Sequence, residues 1–230
     1  MGNTLLKVIL IPYFLFVISL LSAQTLTLVE LNCENLFDCR HDTLKQDTEW
    51  LPASTRHWTP SRYWRKMNNI GQTILSCQEE GVPDLVALVE VENDSVLFAL
   101  TRKSLLRNAG YQYLMTESPD ERGIDVALLY QPFTFRPLCY DYLDVKPLEG
   151  MRPTRDILYV MGETLHGDTL HVFVSPALLD CVEQAYINDA PFLLEEDQKY
   201  GGVKPFRTYN GMRYQRGHSD HLPLVVRFQF

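Results

Sequence analysis

Three short polar groups stand where apolar runs end. Asn32 and Glu34 follow Thr25–Leu31, Glu90 and Glu92 close Leu85–Val91, and Ser219-Asp220-His221 precedes Leu222-Pro223-Leu224-Val225-Val226. A sheet holds side chains rigidly at its rim, so acids and an imidazole gathered there can bind a cation or move a proton. Glu90 is the most informative. A charged carboxylate inside Ala87-Leu88-Val89-Glu90-Val91 costs several kcal/mol to bury unless it is paired or holds a metal. A cation ligand and a salt-bridged or wet strand end are equal readings of it. Strand alternation puts Glu92 on the same side as Glu90, a paired-carboxylate pattern of the sugar-cleaving kind. That third reading is weak, because same-face neighbours cannot flank a sugar from opposite sides. Asp220 and His221 are neighbours expected to point opposite ways on an extended chain, one to ligate a cation and the other to donate a proton to a phosphate oxygen. Arg155 can clamp a phosphate or sit in a structural ion pair. Glu117 can orient a histidine or be a plain loop acid, and Asp125 opens a strand after the Arg122-Gly123 turn.

The elements that would position these groups follow from periodicity. Thr25–Leu31 alternates as a strand, and residues 38–60 are polar and loop-like. Ser61 is expected to cap a helix running to about Glu79, with Tyr63, Met67, Ile70 and Ile74 on one face. Leu85–Val91 is a continuous apolar run, the mark of a buried strand. A helix over Ser95–Arg107 follows, then strands over Tyr111–Thr116, Ile124–Tyr130, Phe133–Val145, Arg155–Met161, Thr169–Val174, Cys181–Ala185, Val203–Phe206 and Leu222–Phe230. Helices alternate with strands early and strands dominate later, so the class is α/β or α+β.

Composition narrows the function. The 230 residues carry 21 Lys and Arg against 29 Asp and Glu, a net charge of -8, which excludes a broad basic footprint for non-specific nucleic-acid binding. Any positive charge needed for phosphate chemistry must come from a few arginines or a bound metal. Residues 1–23 combine Lys7, an apolar run Val8–Leu21 and Ser22-Ala23 before Gln24, and read as a secretory signal peptide cleaved near Ala23. The run is short for a membrane span. The mature domain, 24–230, is then secreted or periplasmic, without a membrane span. Cys33, Cys39, Cys77, Cys139 and Cys181 form no Cys-x-x-Cys pair, which leaves a zinc ribbon unsupported. An odd count leaves at least one thiol free or paired outside the chain, and buried apolar cysteines are the favoured reading.

Taken in order, the polar groups resemble the endonuclease/exonuclease/phosphatase superfamily, the deoxyribonuclease-I-like fold. The resembling blocks are Leu31-Asn32-Cys33-Glu34-Asn35-Leu36-Phe37, Pro83-Asp84-Leu85 through Glu92-Asn93, Ser118-Pro119 through Asp125 to Tyr130, Arg152-Pro153-Thr154-Arg155-Asp156 and Gly217-His218-Ser219-Asp220-His221-Leu222-Pro223. The resemblance implies an α/β two-sheet sandwich with flanking helices and one active site at a rim. It implies hydrolysis of a phosphate ester, with nucleic acid among the candidate substrates, and Mg²⁺ (or Mn²⁺ or Ca²⁺) as cofactor. His221, Asn32 and Arg155 then fall at catalytic or phosphate-contacting positions. Glu90, Asp220 and Glu34 fall on the metal side, with Glu117 and Asp125 in support. The chain lacks the family's Asn-His-Trp-Pro-Ser, Gly-Asp-Phe-Asn-Asp and Leu-Asp-Gln segments, and Val174 runs directly into Ser175-Pro176. A deletion at that junction would remove inner strands and the water-activating Asp, with little or no activity expected. A non-catalytic secreted remnant that binds a cation or a protein partner is the alternative.

Overall fold

The protein is described by a computed structural model covering residues 25–146, 154–174 and 184–229. Residues 1–23, expected to be a signal peptide, Arg152 and Pro153, and residues 175–183 after the Val174–Ser175 junction, Cys181 among them, lie outside the described residues.

A six-stranded sheet forms the centre. It contains β1 (Thr25–Leu36), β2 (Leu85–Val91), β3 (Gln112–Met115), β4 (Asp125–Tyr130), β8 (Gln184–Ile187) and β13 (Leu224–Gln229), in the order β3-β4-β2-β1-β13-β8. Only the β1–β2 pair is parallel; the other pairs are antiparallel. A second sheet, in the order β5-β6-β7, comprises β5 (Phe135–Leu143), β6 (Ile157–Thr164) and β7 (Thr169–Val174). Two short hairpins, β9 (Leu194–Glu196) with β10 (Val203–Pro205) and β11 (Tyr209–Asn210) with β12 (Arg213–Tyr214), lie between β8 and β13 in sequence.

The apolar run of β2 is buried on both faces, as its unbroken composition requires. Val86 and Leu88 join Val29, Leu31 and Cys33 in a core against the helices. Leu85 and Ala87 join Leu26, Val126 and Leu128 in a second core against Leu158, Val160, Val172 and Val174 of the other sheet. The result is the two-sheet sandwich with helices outside.

Helix α1 (Pro60–Leu75) buries Tyr63, Met67, Ile70 and Ile74, the stripe read from sequence. It starts earlier than expected: Thr59 is the N-cap and Pro60 takes the first turn, where a missing N–H costs nothing. It also ends before Glu79. Helix α2 (Asp94–Lys103) is capped by Asn93, whose side chain accepts a bond from the Val96 N–H at 3.0 Å. Asp94 in its first turn and Arg102 and Lys103 in its last suit the helix dipole. Residues 105–108 form a separate 3-10 turn, which splits the single helix expected there. Cys33 and Cys77 are buried free thiols, as the composition suggested, but Cys139 is exposed beside an irregularity in β5.

Candidate active site

The parallel strands β1 and β2 end at one rim, and both lose register there. Asn32 faces Val89 and Leu36 faces Val91, so three residues of β1 stand against Glu90 alone. On the other side Val89 pairs with Val126 and Val91 with Asp125, which leaves Glu90 extruded from that ladder too. Glu90 adopts a left-handed backbone with φ 65°, as do Glu34 (50°) and Asn35 (59°). Such a conformation costs a residue with a Cβ about 1–3 kcal/mol and collects at functional sites. The bulge cancels the alternation from which Glu90 and Glu92 were placed on one side. Val89 packs toward the second sheet, yet Val91 lies in the helix-side core.

The extruded carboxylate is held in place. Its Oε2 accepts the Asn35 N–H at 3.0 Å, and the neighbouring Glu34 N–H donates to Asn32 Oδ1 at 2.8 Å. Across from it, Arg155 NH1 lies 3.9 Å from Glu90 Oε1. That guanidinium nitrogen is buried and has no hydrogen-bond partner among the described residues. Arg155 precedes β6, so the pair joins the rims of the two sheets. Arg122 also acts on Glu90 electrostatically, and Arg155 on Asp120. Burial pushes the Asp120 carboxyl up, but bonds from the Arg122 side chain and backbone outweigh it and leave Asp120 below the usual range.

The closing segment arrives at the same rim. The Ser219 hydroxyl donates to the Asn32 carbonyl at 2.6 Å. His221 Nδ1 lies 2.8 Å from Asp220 Oδ1. The two were expected to diverge on an extended chain. Residues 220 and 221 instead form a bend, and the side chains meet. Arg207 NH2 donates to Asp220 Oδ2 at 2.9 Å and approaches Glu34 Oε1 through Nε at 3.6 Å. Gly217 permits this arrangement, because a Cβ there would collide with the backbone of Phe206 and Arg207. The His218 N–H donates to the Phe206 carbonyl at 2.6 Å.

Glu34 is spent differently. Its Oε2 accepts from the Thr208 N–H (2.6 Å) and faces Lys66 Nζ (3.5 Å), while Oε1 faces the Tyr209 N–H (3.3 Å) and Arg207. Lys66 is wholly buried and also donates to the Thr208 hydroxyl and the His218 carbonyl. Burial pushes its ammonium pKa down, and Glu34 opposes that shift. Asn32, Glu90, Arg155, Asp220 and His221 thus converge with Glu34 on one rim, whereas two other expected residues do not join them. Asp125 Oδ1 accepts from the Thr116 hydroxyl and the Ser118 N–H, both at 2.8 Å, and so ties down the β3–β4 connection. Glu117 is exposed beside Tyr142.

Arg207, Arg122 and Lys66 were not anticipated as parts of the site. Lys66 had a readable signal, a lone cation three residues after Tyr63 and four before Ile70 on the apolar stripe. Arg207 had none, since only the folded turn brings it to Asp220.

Residues 27–177 match the sequence profile described as the endonuclease/exonuclease/phosphatase family. The chain belongs to that family. The closing block Gly217–Pro223 lies beyond the matched residues and is tied to the rest by geometry alone. Similar solved structures include a family protein from Bacteroides thetaiotaomicron at 14% identity. It covers 66% of this chain and 51% of that one, with a TM-score of 0.43. The human nocturnin catalytic domain with bound sulfate is 18% identical over 64% and 48% of the two chains, TM-score 0.40. A Bacteroides thetaiotaomicron mannosyl-6-phosphatase is 14% identical over 64% and 50%, TM-score 0.41. The chain thus spans about half the length of these structures. No curated protein matches it.

The donor set decides what cation the rim can hold. Among the described residues, no group of three or more His, Cys, Asp or Glu is arranged around a metal position. Both oxygens of Asp220 and both of Glu34 face protein donors. Among the described residues, Glu90 Oε1 has only the 3.9 Å approach of Arg155. One carboxylate with solvent access suits Mg²⁺, which keeps several waters and takes one or two carboxylates. It does not suit zinc, which wants three or four nitrogen or sulfur ligands.

Proposed function

We propose that this chain is a secreted, divalent-metal-dependent phosphoesterase with a weakened catalytic apparatus. The observation that carries the reading is Glu90, extruded into a left-handed bulge, beside Arg155 NH1, which has no hydrogen-bond partner among the described residues, on the rim that holds Asp220 and His221. A cation and a phosphate each meet a ready group there.

In this reading Glu90 supplies the protein carboxylate of a Mg²⁺ site. The metal role expected for Glu34 passes to structure, because its oxygens anchor Lys66 and the 207–209 turn. Mg²⁺, when bound, supplies positive charge against the negative charge that builds on the transferring phosphoryl group. Arg155 orients the phosphate through NH1, which makes no hydrogen bond among the described residues. Asp220 fixes the His221 ring, and His221 then donates a proton to the leaving ester oxygen as the P–O bond breaks. Asn32 holds the turn that aims the Glu34 and Asn35 N–H groups. Attack by water forms a new P–O bond as the ester oxygen leaves as an alcohol; with no general base in place the water's proton passes to solvent, and solvent restores the proton on His221. The segment bearing a water-activating Asp is missing from the sequence, and loss of a general base costs roughly 10²–10⁴-fold in rate. Secretion rests on residues 1–23.

The test is hydrolysis of bis-p-nitrophenyl phosphate by the purified chain. Slow Mg²⁺-dependent turnover that EDTA stops and Glu90→Gln abolishes supports the reading. Turnover indifferent to both overturns it. Complete inactivity with intact Mg²⁺ binding favours a non-catalytic remnant that still holds the cation.

A further inference from the structure

One face of this acidic chain carries the opposite charge. Arg62 and Arg65 stand three residues apart in the first turns of α1, and Asn69, four residues beyond Arg65 on the same helix face, holds the Arg216 backbone, so the three arginines share one face beside Tyr214. Arg62 lies over the Tyr214 ring, 4.4 Å from its centroid. It is fixed from behind by bonds to the Arg56 carbonyl and, at 3.2 Å, to the Tyr209 hydroxyl. Tyr209 packs on Tyr214 with ring centroids 5.3 Å apart. Arg65 and Arg216 are exposed. Among the described residues, none of the three guanidiniums pairs with an acid.

Three like charges converging without a counter-ion are unfavourable on a free surface, and the chain has 29 acids from which a partner could have come. Arg216 adds a conformational cost, because it sits in left-handed backbone at φ 70° where glycine would rest without strain. The backbone there is nevertheless tied to α1. Asn69 Nδ2 donates to the Arg216 carbonyl at 3.1 Å and to the Gly217 carbonyl at 2.8 Å. The face adjoins the candidate site, since Arg216 precedes Asp220 by four residues and the Tyr209 N–H faces Glu34.

We propose that Arg62, Arg65 and Arg216 form an anion-binding surface for successive phosphoryl groups, separate from the Glu90–Arg155 site. The planar guanidinium fork is the side chain best matched to phosphate oxygens. Arg62, pre-set by its ring contact, loses little freedom on binding. The ligand chemistry is a chain of phosphates, supplied by a free polyphosphate or by the backbone of a single-stranded nucleic acid.

The test is fluorescence anisotropy of a labelled oligothymidylate of about a dozen nucleotides, with the full chain in EDTA. Binding is then read without turnover, so failure of the phosphoesterase reading and failure of this one are distinguishable. Each phosphate neutralised on a single strand contributes about -0.7 to the slope of log affinity against log salt, so three arginines predict a slope near about -2. Arg65→Gln with Arg216→Gly should weaken binding at least about tenfold and flatten the slope by roughly 1.4. Glycine suits the Arg216 backbone, so this variant removes charge while relieving strain, and a melting temperature that does not fall verifies the fold. Lys103→Gln with Arg107→Gln makes an equal charge change elsewhere and should leave binding intact. Displacement by tripolyphosphate assigns the surface to any phosphate chain; a strand that tripolyphosphate cannot displace assigns it to nucleic acid. Equal loss in both double variants, or no loss in the first, overturns the proposal.

Discussion

Glu90 was legible as a lone acid in an apolar strand; its conformation was not. A run of side-chain types cannot show that two ladders slip against each other, and the slip is what frees the carboxylate. Glu90→Gln retains the oxygen that accepts the Asn35 N–H, so the melting temperature should move little. Phosphoesterase turnover should fall by at least about 10²-fold, because the charge facing the cation is lost. Glu92 behaves differently. Burial, with added repulsion from Asp38, Asp47 and Asp42, pushes its carboxyl up to about 8, against a bond from the Asp38 backbone. As pH rises the unfolded chain loses this proton first, while the folded chain holds it. Stability from this group therefore falls as pH rises from the ordinary value of 4.5 toward about 8. Glu92→Gln should raise the melting temperature at pH 8 and change it little at pH 4, measured by thermal denaturation at both values.

The elements explain why distant residues meet. The parallel ends of β1 and β2 set the floor of the rim, and the turn before β13 drops onto it through Ser219. Lys66 reaches from α1 to clamp Glu34, Thr208 and His218 together. Removing one partner of a buried charged cluster leaves the other uncompensated, typically at a cost of about 3–5 kcal/mol. Lys66→Met should lower the urea midpoint by a matching amount and reduce turnover with it, whereas Arg155→Gln should spare stability. The helix stripe and the buried strand could be read from periodicity. The cap at Thr59 and the break after Lys103 could not, because Pro60 and the Ser104 turn override the apolar pattern.

For the whole molecule, the ordered blocks revealed family and architecture together, since each block borders a strand that the sandwich must align. Arg155 comes from the second sheet and Glu90 from the first, so their approach depends on closure of the core between Leu85, Ala87, Leu158 and Val160. What the sequence concealed is the balance of charge at the rim. Arg207 enters only because Gly217 lets two backbone segments touch. The most direct test of a phosphoryl site at this rim is calorimetric titration of inorganic phosphate into the purified chain with Mg²⁺ present. The account predicts saturable binding that disappears in EDTA and weakens by at least about tenfold in Arg155→Gln. Phosphate binding unchanged by both treatments would contradict it.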